Sequence, residues 1–308
     1  MSVYVVGHKN PDTDSVTAAI AYAELMKAKG EDYIPCVQGE INPETKVVLD
    51  KFGFAAPELM TDATGKKIAL VDHSDLMQAP DNLSDGEVVA IIDHHKIGDV
   101  TTNNPILFCA MPVGCTGTVL NTLYGLNDVT VDSKVAGLML SAILSDTVNF
   151  KSPTCTDADK AAVAELAKIA GVDDTDELFM DMLKAKSSVE GIPADKLLNR
   201  DYKDFDMNGN KVGCGQLELA TLDQVADIRD DLYKAMQEQK AAGGHHTILL
   251  MLTDVVKEGT DLMVLSDDEA LIEGAFGAKL EGKNSMYIDG MLSRKKQTVP
   301  NLQKAFGC

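Results

Sequence analysis

Two stretches decide the fold of this chain: Ile68-Ala69-Leu70-Val71-Asp72-His73-Ser74-Asp75, and further on Val88-Val89-Ala90-Ile91-Ile92-Asp93-His94-His95. Each is an unbroken apolar run that stops on a cluster of acids and histidines. A strand with one solvated face alternates apolar and polar residues. A run without alternation reads as a strand covered on both faces, the habit of parallel sheets. Val3-Tyr4-Val5-Val6 ends the same way, on Gly7-His8-Lys9-Asn10-Pro11-Asp12-Thr13-Asp14-Ser15. Tyr33–Val37 reads as another strand. Between and after these runs, residues 13–29, 43–52, 116–124, 133–144, 157–170 and 176–184 carry helical patterns, the first closed by Gly30. Alternating strands and helices predict an α/β domain with a mostly parallel sheet flanked by helices.

The composition shifts near residues 185–195. Lys186-Ser187-Ser188-Val189-Glu190-Gly191-Ile192-Pro193 is polar and ends on Gly and Pro, which reads as a linker. We therefore expect a larger domain over 1–187, a linker over 188–193 and a smaller α/β domain with a mixed sheet over 194–308. In the second domain, residues 202–207 and 211–217 flank Asn208-Gly209-Asn210, a hairpin signature. Residues 222–240 read as one long helix ending at Gly243-Gly244. Residues 247–256, 262–265 and 286–288 read as strands.

The chain has 308 residues and is 45% hydrophobic, which excludes a mainly disordered protein. Its 28 Lys+Arg against 48 Asp+Glu give a formal net charge of -20. Such a surface is a poor non-specific binder of nucleic acid or of anionic membrane. No apolar run approaches the 18 or so residues that span a bilayer. The N-terminus lacks the basic region and long apolar core of a signal peptide. Six scattered cysteines form no CxxC pair. These features predict a reduced, cytoplasmic protein. The charge is uneven: residues 1–192 hold 14 basic and 29 acidic side chains, whereas the last sixteen residues hold Arg294, Lys295, Lys296 and Lys304 and no acid.

Four polar clusters carry chemistry: Gly7 to Ser15, Asp72-His73-Ser74-Asp75, Asp93-His94-His95 and Ser145-Asp146-Thr147. Three of them directly follow predicted strands. Functional groups of an open α/β sheet gather beyond the carboxyl ends of its strands. His8, Asp12, Asp14, Asp72, His94 and Asp146 can therefore converge. Imidazoles mixed with carboxylates suit Mn²⁺, Co²⁺, Fe²⁺ or Zn²⁺, where an all-oxygen set favours Mg²⁺ or Ca²⁺. Four carboxylates and two histidines exceed what one ion needs and fit two ions sharing carboxylates. Two ions ~3.5–4 Å apart can hold and deprotonate a bridging water. Each residue also has a plainer reading. An Asp after a strand is often a helix cap, a His pair such as His245-His246 is often loop structure, and a basic C-terminal run is often a solvated face.

The run His8-x-x-x-Asp12-x-Asp14, then Asp72-His73-Ser74, then Asp93-His94-His95 resembles the DHH phosphoesterase superfamily. With Ser293-Arg294-Lys295-Lys296-Gln297 near the C-terminus it is similar, over essentially the whole chain, to the family II (manganese-dependent) inorganic pyrophosphatases. The resemblance implies a DHH domain followed by a DHHA2 domain, with the active site in the cleft between them. It implies His8, Asp12, Asp72 and Asp146 on one metal, and Asp14, Asp72, His94 and Asp146 on the other. Asp72 and Asp146 would bridge. His95 would contact substrate and donate a proton, and Lys203, Arg294 and Lys295 would bind the phosphates. It implies two Mn²⁺ or Co²⁺ per subunit, a further Mg²⁺ or Mn²⁺ arriving with inorganic diphosphate, and a homodimer formed through the first domain by edge-strand pairing. The alternatives are another DHH phosphoesterase, acting on polyphosphate or on an oligonucleotide or cyclic dinucleotide, and a metal-dependent binding module without turnover. Aromatics at 5% and the acidic surface argue against a nucleotide substrate.

Overall fold

The computed structural model describes residues 2–282 and 284–308. The chain divides into two compact units, residues 1–186 and 187–308. The first runs β1 (Val3–Val6), α1 (Thr13–Ala28), β2 (Tyr33–Val37), α2 (Pro43–Phe52), β3 (Glu58–Leu59), β4 (Lys67–Val71), β5 (Glu87–Asp93), β6 (Leu107–Ala110), α3 (Thr116–Leu126), α4 (Ser133–Asp146), α5 (Asp157–Ala170) and α6 (Thr175–Lys186). The strands lie in the order β3-β2-β1-β4-β5-β6 and every described pair is parallel. The order reverses between β1 and β4. Loops leaving the carboxyl ends of those two strands diverge and leave a crevice. The first two polar clusters stand on these two loops, and Asp93-His94-His95 leaves the next strand over.

Local sequence sets the helix ends. Asp12 accepts the Ser15 N–H at 2.9 Å and starts α1. Asn42 and Pro43 start α2, and Gly53 ends it in the left-handed conformation. Thr156 and Asp159 cap α5 reciprocally.

Alternate residues of β1, β4 and β5 serve two cores. Val3, Val5, Ala69, Val71, Ala90 and Ile92 pack against side chains from all six helices. Val6, Ile68, Leu70 and Ile91 pack against Met60, Ala63, Ala79 and Leu83. The apolar runs are continuous because both faces are dry. Only the first face is covered by helices. The second is covered by irregular chain and a single 3₁₀ turn at Leu83–Asp85, because the β4–β5 and β5–β6 connections carry no α-helix.

The second unit runs α7 (Ala194–Leu198), β7 (Tyr202–Met207), β8 (Asn210–Leu219), α8 (Arg229–Gly243), β9 (Thr247–Asp254), β10 (Gly259–Ser266), α9 (Glu269–Phe276), β11 (Ser285–Asp289) and α10 (Val299–Phe306). Its sheet has the order β11-β10-β9-β8-β7. Only β8 and β9 pair in parallel, so the sheet is mixed. Asn208 and Gly209 both have positive φ (54° and 81°) and make the two-residue hairpin turn. Central strand β9 is buried throughout. Ile248, Leu250 and Leu252 face α7 and α8, while Leu249 and Met251 face α9 and α10.

Two readings change here. The expected helix over 222–240 is a 3₁₀ turn at Leu222–Val225 followed by α8 from Arg229. Gln224 Oε1 accepts the N–H groups of Ala220 and Thr221 (2.7 and 3.3 Å), which tightens the turn and interrupts the helix. The stretch expected as a linker packs on the second unit. Val189 is buried in its core, and Ser187 Oγ accepts the Ala220 N–H at 3.1 Å. Among the described residues, no helix is long and apolar enough to cross a membrane.

Candidate metal centre

Asp72 is the hub of the first unit's site. Its backbone is left-handed (φ 63°), which Asp tolerates better than most residues. The two oxygens of its buried carboxylate face different histidines: Oδ2 lies 3.3 Å from His8 Nε2, and Oδ1 lies 3.4 Å from His94 Nε2. His8 Nε2 is also 3.4 Å from Asp12 Oδ2. His94 Nε2 is 4.0 Å from Asp14 Oδ2 and 4.0 Å from Asp146 Oδ2. All six residues expected as metal ligands thus lie together, although the sequence spreads them from position 8 to 146. Asp12 also keeps its plainer role, since its other oxygen caps α1.

The histidine tautomers follow from their partners. His8 Nδ1 donates to the Lys9 carbonyl at 2.7 Å, and His94 Nδ1 donates to the Val113 carbonyl at 3.0 Å. In the neutral ring each Nε2 is then a bare lone pair. Bare nitrogen aimed at carboxylate oxygen at this range is repulsive unless a cation lies between them or the ring is protonated. The pKa shifts express the same deficit of positive charge. Burial opposes a charged His8, yet Asp12 and Asp72 outweigh it and push His8 up to about 11. His94 goes up to about 9, with Asp72 and Asp14 overcoming burial. Burial, then the charge of Asp72, pushes Asp14 up to about 7. Burial, Asp14 and Asp72 hold Asp146 well above the carboxylate range. Burial disfavours a charged Asp72, but His8 and His94 hold it below that range. Clustered carboxylates, of which Asp14 and Asp146 resist ionisation, interleaved with bare imidazole nitrogens fit divalent cations.

His95 stands beside this set with a half-exposed ring. Its Nδ1 donates to Asp93 Oδ1 at 3.0 Å, and the same oxygen accepts the N–H groups of His94 and His95 (2.8 and 3.0 Å). This leaves Nε2 as the outward atom. Asp93 raises the His95 pKa, more than burial lowers it. Cys115 lies in a cluster with Asp14 and Asp146, and burial and those carboxylates push its thiol well above the ordinary range. After Asp146, residues 148, 149 and 150 all have positive φ (49°, 48° and 68°), a local strain beside the site.

In the second unit, Arg294 is buried. Its guanidinium donates to the Asp201 carboxylate at 2.6 Å, to the Asp201 carbonyl and to the Cys214 carbonyl at 3.2 Å. Lys203 is exposed on β7, opposite Cys214 in the ladder. Arg294 and Lys203 therefore share one neighbourhood. Lys295 is exposed in the turn that begins at Arg294. The Arg294 fork is held by an internal carboxylate, a partner that the sequence reading did not foresee. His245 and His246 belong to the second unit. His245 bonds Asp204 (2.8 Å) and Tyr202 (3.2 Å), which makes it a structural residue of the second unit.

The DHH family N-terminal domain model matches residues 2–143, and the DHHA2 domain model matches residues 180–305. The chain is 53% identical to the "Probable manganese-dependent inorganic pyrophosphatase" of Archaeoglobus fulgidus, over 99% of this chain and 98% of that protein. It is 49% identical to the manganese-dependent inorganic pyrophosphatase of Methanothrix thermoacetophila, with the same coverage. The chain belongs to the family II, manganese-dependent inorganic pyrophosphatases. Among solved structures it is similar to a Methanococcus jannaschii protein assigned to family II inorganic pyrophosphatases. The TM-score is 0.62 at 45% identity, over 99% of this chain and 100% of that one.

For a pyrophosphatase of this family, the sequence placed the start of α3 at residue 116 but not the bonds by which that start backs Asp14 and Asp72. Thr116 N–H and Gly117 N–H donate to Asp14 (2.7 and 3.1 Å), and Thr116 Oγ1 donates to Asp72 Oδ1 at 3.0 Å. Backbone amides have no letter in a sequence. The only available hint was Gly114-Cys115-Thr116-Gly117, small residues opening a helix.

Proposed function

We propose that the donors around Asp72 hold two divalent cations, manganese or cobalt, and that this chain uses them in the reaction of its family, the manganese-dependent hydrolysis of diphosphate to two phosphates. His8, Asp12, Asp72 and Asp146 would hold one ion, and Asp14, Asp72, His94 and Asp146 the other. The observation that carries this reading is that the two oxygens of Asp72 face the bare Nε2 atoms of two different histidines. That is the arrangement a bridging carboxylate requires. When bound, the cations supply a water acidic enough to attack at neutral pH and positive charge for the phosphoryl oxygens, supplemented by Mg²⁺ or Mn²⁺ brought with the substrate.

The remaining work falls to side chains. Phosphoryl transfer depends on positioning and charge neutralisation more than on covalent help from the protein. His95, fixed by Asp93 through Nδ1, presents Nε2 to the departing phosphate and gives it a proton. Asp72 and Asp146 keep the two ligand sets in register. Lys203, Arg294 and Lys295 of the second unit take the phosphates. Arg294 offers a planar fork and Lys295 a point charge. Because Asp201 already holds that fork, a phosphate binds there in competition with a carboxylate.

The exposed apolar edge strand β6, with Leu107 and Phe108 about half exposed, supports a homodimer formed through the first unit. Six free cysteines support a reduced, cytoplasmic setting. The charge of -20 opposes nucleic acid as a partner. The test is phosphate release by the chelated enzyme, supplied with Mn²⁺, Co²⁺, Zn²⁺ or Mg²⁺ alone, from diphosphate, triphosphate, polyphosphate and a dinucleotide. Diphosphate with Mn²⁺ or Co²⁺ is expected to lead. Equal or faster release from the dinucleotide or polyphosphate overturns the substrate assignment.

A further inference from the structure

We infer that the first turn of α3 sets the relative position of Asp14 and Asp72, and that Thr116 is the positioning residue on which metal affinity depends. This rests on the metal reading above and extends it to residues that are not ligands.

Asp14 is fully buried on α1, and Asp72 follows β4. Nothing in their covalent neighbourhood fixes one against the other. Thr116 touches both. Its N–H donates to Asp14 Oδ2 (2.7 Å) while the next N–H, of Gly117, is shared between Asp14 Oδ1 (3.1 Å) and the capping Cys115 Sγ (3.2 Å), so two amides of a helix start clamp the carboxylate. Its hydroxyl donates to Asp72 Oδ1 (3.0 Å). Each oxygen so engaged still has a lone pair for a cation.

The turn is itself anchored. Asp159 accepts the Gly114 N–H (2.9 Å) and the Thr118 hydroxyl (2.6 Å), and accepts the N–H of Thr156 at 2.7 Å. Packing is tight around it. A Cβ on Gly114 would stand 2.8 Å from Thr147 Cγ2 and 2.9 Å from Asp159 Oδ2, and one on Gly117 would stand 3.1 Å from the Met139 carbonyl. The amides are therefore held rigidly where the carboxylates arrive. Removing partners of this kind, one bond behind the ligands, typically costs about 10- to 100-fold in metal affinity.

The test measures Mn²⁺ binding, independent of turnover, by equilibrium dialysis of the chelated full chain. Thr116→Val keeps the shape and the backbone N–H but removes the hydroxyl, and Thr116→Ser restores it. Thr116→Val is expected to weaken the tighter Mn²⁺ equilibrium about 10- to 100-fold. Thr116→Ser should stay within about threefold of wild type. Thr116→Ala is read in the same way should Thr116→Val not fold. Wild-type affinity in Thr116→Val, or an equal loss in Thr116→Ser, overturns the inference. A wild-type chain that binds no Mn²⁺ overturns the metal reading beneath it, which is a distinguishable result.

Discussion

Replacing Asp146 by Asn should make the metal-free protein more stable while removing its response to manganese. Asp146 shares its cluster with Asp14, their ligating atoms lying within 4.8 Å of each other. Two unit charges at that distance repel by about 3.5 kcal/mol at an effective dielectric constant of 20. Protonation relieves part of this, as the raised pKa values of both groups show, so about 2–3 kcal/mol is expected in practice. The sign follows from linkage. A carboxylic acid whose folded-state pKa is raised costs stability above its unfolded pKa, because the unfolded chain releases the proton more readily. The difference between mutant and wild type should therefore be largest near pH 8.5 and vanish towards pH 4. For the first unit, 186 residues long, each kcal/mol is worth about 2–4 °C, so metal-free Asp146→Asn should melt about 4–12 °C higher at pH 8.5. Manganese erases this difference: at a hundredfold excess over its Kd it adds about 2.7 kcal/mol to the wild type and far less to the mutant, which brings the two proteins to similar stability. Calorimetry of chelated and manganese-loaded proteins at both pH values is the assay. A metal-free mutant that melts at or below wild type at pH 8.5 refutes the carboxylate crowding. Equal stabilisation of both proteins by manganese refutes Asp146 as a ligand.

Three other predictions follow from single groups. Burial works against a charged Asp159, but its bonds from Thr118, Thr156 and Gly114 hold its carboxyl below the ordinary range. Its stabilising contribution is thus full above the unfolded carboxylate pKa and lost as acid titrates it. Asp159→Asn should lose about 2–3 kcal/mol in urea titrations at pH 7, with the gap closing in acid, and a pH-independent gap counts against the linkage. Asp93→Asn should let the His95 pKa fall, moving the alkaline limb of the pH–rate profile to lower pH, and an unmoved limb removes His95 from proton donation. Phe108→Lys on the exposed β6 edge should give a monomer by light scattering, and a surviving dimer places the interface elsewhere.

Much of the site was legible in the linear sequence because its parts are side chains at strand ends. The apolar runs of β1, β4 and β5 show their burial directly, and the acids and histidines that follow them are the residues found around Asp72. Strand β6 was not legible. It is four residues long and mostly exposed, so neither length nor alternation marks it. The helices α7, α9 and α10 are short and were missed for the same reason. The break between Leu222–Val225 and α8 depends on Gln224 reaching back to backbone N–H groups, which no periodicity reports.

The division between the two sources of information has a physical basis. Side-chain chemistry and hydrophobic periodicity are written in the letters, and they determined the two-domain α/β class, the candidate donor residues and the resemblance to manganese-dependent pyrophosphatases. Distances between segments far apart in the chain, backbone amides and left-handed φ angles are not. Only the tertiary structure decided that Asp72 stands between His8 and His94, that both histidines expose a bare Nε2, that Asp201 occupies the Arg294 fork, and that Thr116 joins Asp14 to Asp72. Each is a relation between segments fixed by packing, and no single segment carries it.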